Sequence, residues 1–143
     1  MTVPRTHRLD LAGAPPPLRP YYANAVQVRA GDLLFISGQV AWDADGQVVG
    51  RGDPVRQAEQ VFANISTILR GHGATFEDIV KVTVFVTDLS WFEKLSDMRV
   101  RLFSKLPPAS TIVQVAALVD PDLLIEVEAV AAVEPGAAVH RGR

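Results

Sequence analysis

Cysteine is absent from this 143-residue chain, which excludes disulfides, thiolate nucleophiles and any Cys-based zinc site. An excess of either charge is absent as well. The formal net charge is −2, so nothing suggests the electrostatic footprint of a nucleic-acid or anionic-membrane binder. No apolar run reaches the length of a membrane span, and Met1–Arg8 is polar and lacks the apolar core of a secretory signal. These absences lead to the expectation of a cytoplasmic protein without membrane or nucleic-acid partners. Several chemical motifs are missing too. There is no G-x-G-x-x-G, and no G-x-S-x-G surrounds any serine. His7, His72 and His140 have no metal-ligand spacing, so neither a Ser-His-Asp triad nor a metal site has support.

What is present is enough to build a core. Hydrophobic residues make up 48% of the chain, and its length suits one domain. Thr2–Pro20 carries three consecutive prolines, Pro15–Pro17, and reads as an extended arm, so residues 1–19 are expected to lie outside the packed body. Residues 20–133 form the domain, and the tail 134–143, with Pro135 and Gly136, is expected to be flexible.

Within the domain, Asn24–Val28 and Leu33–Ser37 read as strands, and Gly31-Asp32 before the second suggests a hairpin. Gly38 is expected to end the second strand. Asp45-Gly46 marks another turn, after which Gln47–Val49 offers a short strand. Asp53-Pro54 is a helix start, an acceptor at the cap followed by proline at the first helical position. Ala58, Phe62, Ile65 and Leu69 then recur at helical spacing to about Arg70, before Gly71 and Gly73. Ile79–Val86 is rich in β-branched residues and reads as a strand. Ser90 is the expected cap of a second helix, Trp91–Ser104, with Phe92, Leu95, Met98 and Leu102 on its apolar stripe. Two strands close the chain, Thr111–Leu118 and Leu124–Ala132, separated by a turn at Asp120-Pro121.

This order predicts an α+β two-layer sandwich, a mixed sheet with two helices on one face. Two helices cover one face only. Yet Ile79–Val86 and Thr111–Leu118 carry apolar residues on both faces, Phe85 opposite Val84 and Ile112 opposite Val113. The uncovered face therefore predicts a homo-oligomer.

Candidate chemical groups are few. Glu126 and Glu128 point to one face of the last strand, opposite Ile125 and Val127. Such a pair can hold water beside a cleft, but two solvated acids are the commoner meaning of that spacing. The backbone at Ser37-Gly38-Gln39 can bind a small anion or carbonyl, although a strand-ending turn is the simpler reading. Tyr21-Tyr22, between arm and first strand, either lines a pocket or packs the arm against the sheet.

Several strings taken in order resemble the RidA/YjgF family of reactive-intermediate (enamine/imine) deaminases. Tyr22-Ala23-Asn24-Ala25-Val26 resembles that family's Y-S-x-A-V, and Phe35-Ile36-Ser37-Gly38-Gln39 its F-x-S-G-Q. Gln57, Asn64 and Leu69 match its first helix, and Asp78–Phe85 resembles D-V-V-K-T-T-V-F. Pro108-Ala109 with Val113-Gln114-Val115 is similar to P-A-R-S-x-V-x-V, and Ile125–Ala131 to I-E-I-E-A-I-A. The resemblance implies a chorismate-mutase-like fold and a homotrimer with clefts between neighbouring subunits. It also implies hydrolysis of small imino or enamino acids to ammonia and a keto acid, without metal or organic cofactor.

Carried onto this chain, the resemblance makes Glu126 the residue that holds the attacking water, with Tyr22, Gly38 and the backbone at Ile112 as substrate contacts. Two positions depart from the pattern. The family's carboxylate-clamping arginine aligns with Ser110, and its second-helix asparagine aligns with Ser96. Serine offers one neutral donor where arginine offers a charged bidentate fork, so the standard 2-imino acid activity is expected to be weak or absent unless Arg51, Arg99 or Arg101 substitutes. Three functions follow as expectations: a hydrolase of imines, enamines or related small carbonyl compounds, a non-catalytic metabolite-binding or regulatory trimer, and a ribonuclease. The balanced charge disfavours the last.

Overall fold

In a computed structural model, the structure describes residues 4–136 and residue 139. The expected tail therefore lies mostly outside the described residues, as does His140.

The body is a four-stranded mixed sheet with two helices packed on one face. Its strands are β3 (Asp32–Val40), β4 (Ile79–Val86), β5 (Ala109–Gln114) and β6 (Ile125–Val133), in spatial order β3-β6-β4-β5. β6 is antiparallel to both its neighbours, whereas β4 and β5 are parallel. Parallel neighbours need a crossover, and helix α2 (Phe92–Phe103) supplies it. Helix α1 (Pro54–Arg70) joins β3 to β4. The core sits between the helices and the sheet. Ala58, Val61, Phe62, Ile65 and Leu69 of α1 meet Val82, Val84, Ile125 and Val127 there.

α1 begins where its local chemistry says it should. The Asp53 carboxylate accepts hydrogen bonds from the Val55 and Arg56 amides at 3.1 and 3.0 Å, and Pro54 has no amide to leave unpaired. α2 begins differently from expectation. Asp88, not Ser90, is the capping residue: its carboxylate accepts from the Ser90 amide and closes a 3-10 turn over Leu89–Trp91, after which α2 starts at Phe92. The buried side of α2 is Leu95, Ser96, Met98, Arg99 and Phe103. It therefore includes a serine and an arginine that an apolar stripe omits.

The hairpin expectation is overturned. Strand β2 (Ala25–Val28) does not pair with β3 but with β1 (Thr6–Leu9), inside the segment expected to be an unpacked arm. β3 instead pairs with β6 along most of its length. A turn signal specifies a change of direction, not a partner, and Gly31, with φ of 110°, supplies that change. The arm is held by more than strand pairing. Arg8 donates to the Pro107 and Leu106 carbonyls, and Arg5 pairs with Asp78 and Glu134. Beyond the arm, the Ala23 amide donates to the Pro108 carbonyl at 2.9 Å, and Ala23 bridges to Ala109. This fixes Tyr21 and Tyr22 beside the start of β5.

Gly38 does not end its strand. β3 runs on to Val40 with a register shift between Ile36 and Gln39, so Ser37 and Gly38 lie in a bulge. Gln47–Val49 contributes only a bridge between Val48 and Trp42. The face of the sheet away from the helices is apolar at Phe35, which is 74% exposed, and at Val113, and polar at Lys81, Thr83 and Glu128. No helix among the described residues is long and apolar enough to cross a membrane.

Candidate functional site

Two clusters collect the residues that the sequence singles out, and they lie on opposite faces of the sheet. On β5, Ser110 and Ile112 stand beside Val82 and Val84 and so share the face that the helices cover. On β6, Glu126 stands beside Phe85 and faces the open side with Glu128. β4 lies between them. A single chain therefore brings Tyr22, Ser110 and Ile112 together, and separately Gly38 and Glu126.

The first cluster walls a cavity of about 380 Å³ at the β5 edge. Tyr21, Tyr22 and Phe92 line it with aromatic rings, Arg99, Ser110 and Ile112 line it from α2 and β5, and Leu18 and Arg19, the latter paired with Glu93, complete the wall. The Tyr22 hydroxyl accepts from the Leu18 amide at 2.7 Å, which ties the tyrosine to the proline-rich arm. Arg99 reaches the cavity from α2. Its Nη2 donates to Ser110 Oγ at 2.9 Å, and its guanidinium carbon lies 4.3 Å from the centre of the Tyr21 ring. Stacking engages the flat face of the guanidinium and leaves its in-plane N–H groups for hydrogen bonding. Burial pushes the Arg99 guanidinium below its usual pKa, and the Tyr21 phenol partly offsets this.

Of the three arginines considered as replacements, Arg99 alone reaches Ser110. Arg51 pairs with Asp122 at 3.0 Å, and Arg101 is exposed on α2. Ser96 does not line the cavity. Its hydroxyl donates to the Phe92 carbonyl at 3.1 Å and lies 3.3 Å from the Tyr21 hydroxyl, so it supports a wall residue from behind.

The second cluster is defined by a missing side chain. A Cβ placed on Gly38 would lie 1.9 Å from Glu126 Oε1, so the Glu126 carboxylate rests directly over the bulge backbone. Among the described residues no hydrogen bond or ion pair engages that carboxylate. Gln57 sets the position of the strand that carries it. Fully buried, it accepts from the Leu124 amide at 2.8 Å and donates to the Asp122 and Gly50 carbonyls, clamping the entry to β6. On the same face Lys81 donates to Thr111 Oγ1 at 2.7 Å; burial lowers its pKa and Glu128 raises it. No group of three or more His, Asp or Glu side chains among the described residues could hold a metal ion.

A family model described as Endoribonuclease L-PSP matches residues 12–133. The chain belongs to the RidA/YjgF family. Protein DfrA of Myxococcus xanthus is 41% identical over 105 residues, covering 73% of this chain and 79% of that protein. The 2-iminobutanoate/2-iminopropanoate deaminase of Dermatophagoides farinae is 32% identical over 122 residues, covering 85% of this chain and 91% of its own length. Among solved structures, YyfB of Yersinia pestis, a member of the Rid family, superposes with a TM-score of 0.84 at 32% identity, covering 90% of this chain and 99% of that one.

For this RidA-family chain, the sequence pointed to Tyr22, Ser110 and Ile112 and left Tyr21 between pocket and packing, but it read Phe92 only as part of an apolar stripe; Tyr21 and Phe92 both line the same cavity. The helical period held the clue to Arg99. It stands four residues after Leu95 and seven after Phe92, on the buried stripe, where a charged residue needs a reason.

Proposed function

We propose that copies of this chain assemble through their open sheet faces into a trimer, and that the cleft between two copies hydrolyses small imines or enamines. One copy contributes Tyr22, Ser110 and Ile112, and its neighbour contributes Gly38 and Glu126. Water held by Glu126 adds to the C=N carbon. The nitrogen leaves as ammonia, and the carbon becomes a carbonyl. The reading rests on one observation above all, the Glu126 carboxylate lying over the bulge at Gly38 and free of any partner among the described residues. A carboxylate held in that way can orient water and accept its proton. The deaminase relative of Dermatophagoides farinae supports the same reaction class.

The test is the release of ammonia and keto acid from 2-aminoacrylate generated in the assay from serine. Acceleration over buffer that falls by about a hundredfold in Glu126→Gln supports the proposal, on the usual scale of general-base contributions. Equal rates for both proteins would overturn it. One observation favours a second reading, a non-catalytic metabolite-binding trimer: a serine stands where the family's pattern has its carboxylate-clamping arginine. Ligand binding without turnover would support that reading. The net charge of −2 weighs against a nuclease.

A further inference from the structure

Ser110 on β5 is uncharged, yet the cavity is not without a cation. We propose that Arg99, delivered from α2, is the residue that receives a ligand carboxylate in this cavity, and that the ligand is a small monocarboxylate with an apolar chain. The inference rests on the reading of the cavity as one half of the hydrolytic cleft, and it names the ligand class and the residue that selects it.

Three observations carry it. First, Arg99 is 4% exposed, yet no carboxylate lies within ion-pairing distance of it among the described residues. A cation out of water without a counter-ion is costly, and such groups are ordinarily paired. Second, its hydrogen bonding is incomplete. Nη2 has the neutral Ser110 hydroxyl as partner, and Nη1 is buried with none. The guanidinium is thus a fork with one prong on a weak acceptor and the other empty, which is the deficit a carboxylate fills. Third, the fork is oriented and walled. Tyr21 stacks on its face and Phe92 lies 5.8 Å away, so the edge that could take an anion is held at the Ser110 side of the cavity. The remaining wall is Leu18, Tyr22 and Ile112 together with Arg19, whose charge is already met by Glu93 at 2.6 Å, which suits an apolar substituent rather than a second charge.

Ser110 acquires a role from this geometry. Arginine there would bring a second cation against Arg99, whereas serine leaves room and accepts a hydrogen bond. The cation that faces Ser110 is carried by the helix, not by the strand.

The experiment is equilibrium binding of 2-oxobutanoate and of its neutral amide to the intact protein, by calorimetry, with Arg99→Met, Arg99→Lys and the double variant Arg99→Met/Ser110→Arg. Wild type should bind the carboxylate about tenfold to a hundredfold more tightly than the amide, the range expected for charge-assisted hydrogen bonds. Arg99→Met should erase the preference. Arg99→Lys, which keeps the charge and serves if the methionine variant misfolds, should retain part of it. The double variant should restore part of it from the other side. Discrimination that survives in folded Arg99→Met, or its absence in wild type, overturns the proposal. So does an Arg99→Met protein that loses its trimer while keeping the preference, since Arg99 would then serve a neighbouring acid instead. The two readings also separate. Carboxylate preference without imine turnover would keep Arg99 as the anchor and remove the hydrolase, whereas turnover without preference would do the reverse.

Discussion

Gly38→Ala perturbs Glu126 without touching it chemically. The new Cβ would sit 1.9 Å from Oε1 and 2.8 Å from Cδ, whereas ordinary contact begins at 3.4 Å. To regain ordinary contact with the new Cβ, Oε1 must retreat by about 1.5 Å, the difference between 3.4 and 1.9 Å. A displacement of about 1 Å at a positioned group costs about a hundredfold in rate, which corresponds to about 2.7 kcal/mol of lost transition-state stabilisation. The fold should tolerate the change. The obstructing atoms are the far end of a flexible side chain, so the strain is that of a side chain off its rotamer, about 0.5–1.5 kcal/mol. Replacing glycine also offsets this by about 0.4–1 kcal/mol through the unfolded chain. The expected result is a loss of about a hundredfold in kcat/KM for imine hydrolysis with the melting temperature within a few degrees of the parent. The decisive assay is a double-mutant cycle with Glu126→Gln. If Gly38→Ala acts through Glu126, the double variant should be no worse than Glu126→Gln alone, because residues acting as a unit are not additive. Losses that multiply, or a Gly38→Ala enzyme within about threefold of wild type, would refute the reasoning.

Three further outcomes follow from the fold. Gln57→Ala should lower stability by about 2 kcal/mol, because it leaves the part-buried Leu124 amide and the Asp122 carbonyl without their side-chain partner; the midpoint of urea unfolding measures it. Asp53→Ala should cost about 1 kcal/mol by uncapping α1, read from the same transition, with the slope unchanged. Phe35→Glu puts a charge on the exposed apolar face and should yield a folded monomer by sedimentation, with imine hydrolysis lost because no neighbour supplies Glu126. A trimeric or active Phe35→Glu protein would count against assembly through that face.

What the sequence reveals about this fold divides by the range of the forces involved. The start of α1 was legible because Asp53 and Pro54 act within four residues of one another. β4 was legible to the residue because Ile79–Val86 alternates buried β-branched residues with Lys81, Thr83 and Phe85. The partner of β3 was not, since the Gly31 turn adjoins β2 while the matching strand, β6, lies about a hundred residues away in sequence. Nor was β1. Thr6–Leu9 has two charged or ionisable residues and no apolar alternation, and its place depends on Arg5 and Arg8 reaching groups far along the chain. The site divides in the same way. Glu126, Gly38, Tyr22, Ser110 and Ile112 could be named from strings, but that Gly38 is small because Glu126 lies on it requires the pairing of β3 with β6.

The separation of the two clusters by β4 has a consequence for how such a site can be built. Side chains on opposite faces of one sheet cannot meet around a ligand, and no loop of the described chain carries Glu126 around the edge to Ser110. Either the clusters are unrelated, or a second copy presents its open face to the β5 edge of the first. The open face is the side that two helices leave uncovered and that carries Phe35, so the surface with the strongest reason to be buried is also the one that displays Glu126. In the second case burial and catalysis share one requirement. Dissociation would then remove both the apolar cover and the water-holding carboxylate, and activity should fall with dilution at the concentration where the oligomer falls apart. Activity that stays constant per chain through that concentration would mean that each chain acts alone and that the clusters of Glu126 and Ser110, on opposite faces, do not form one site.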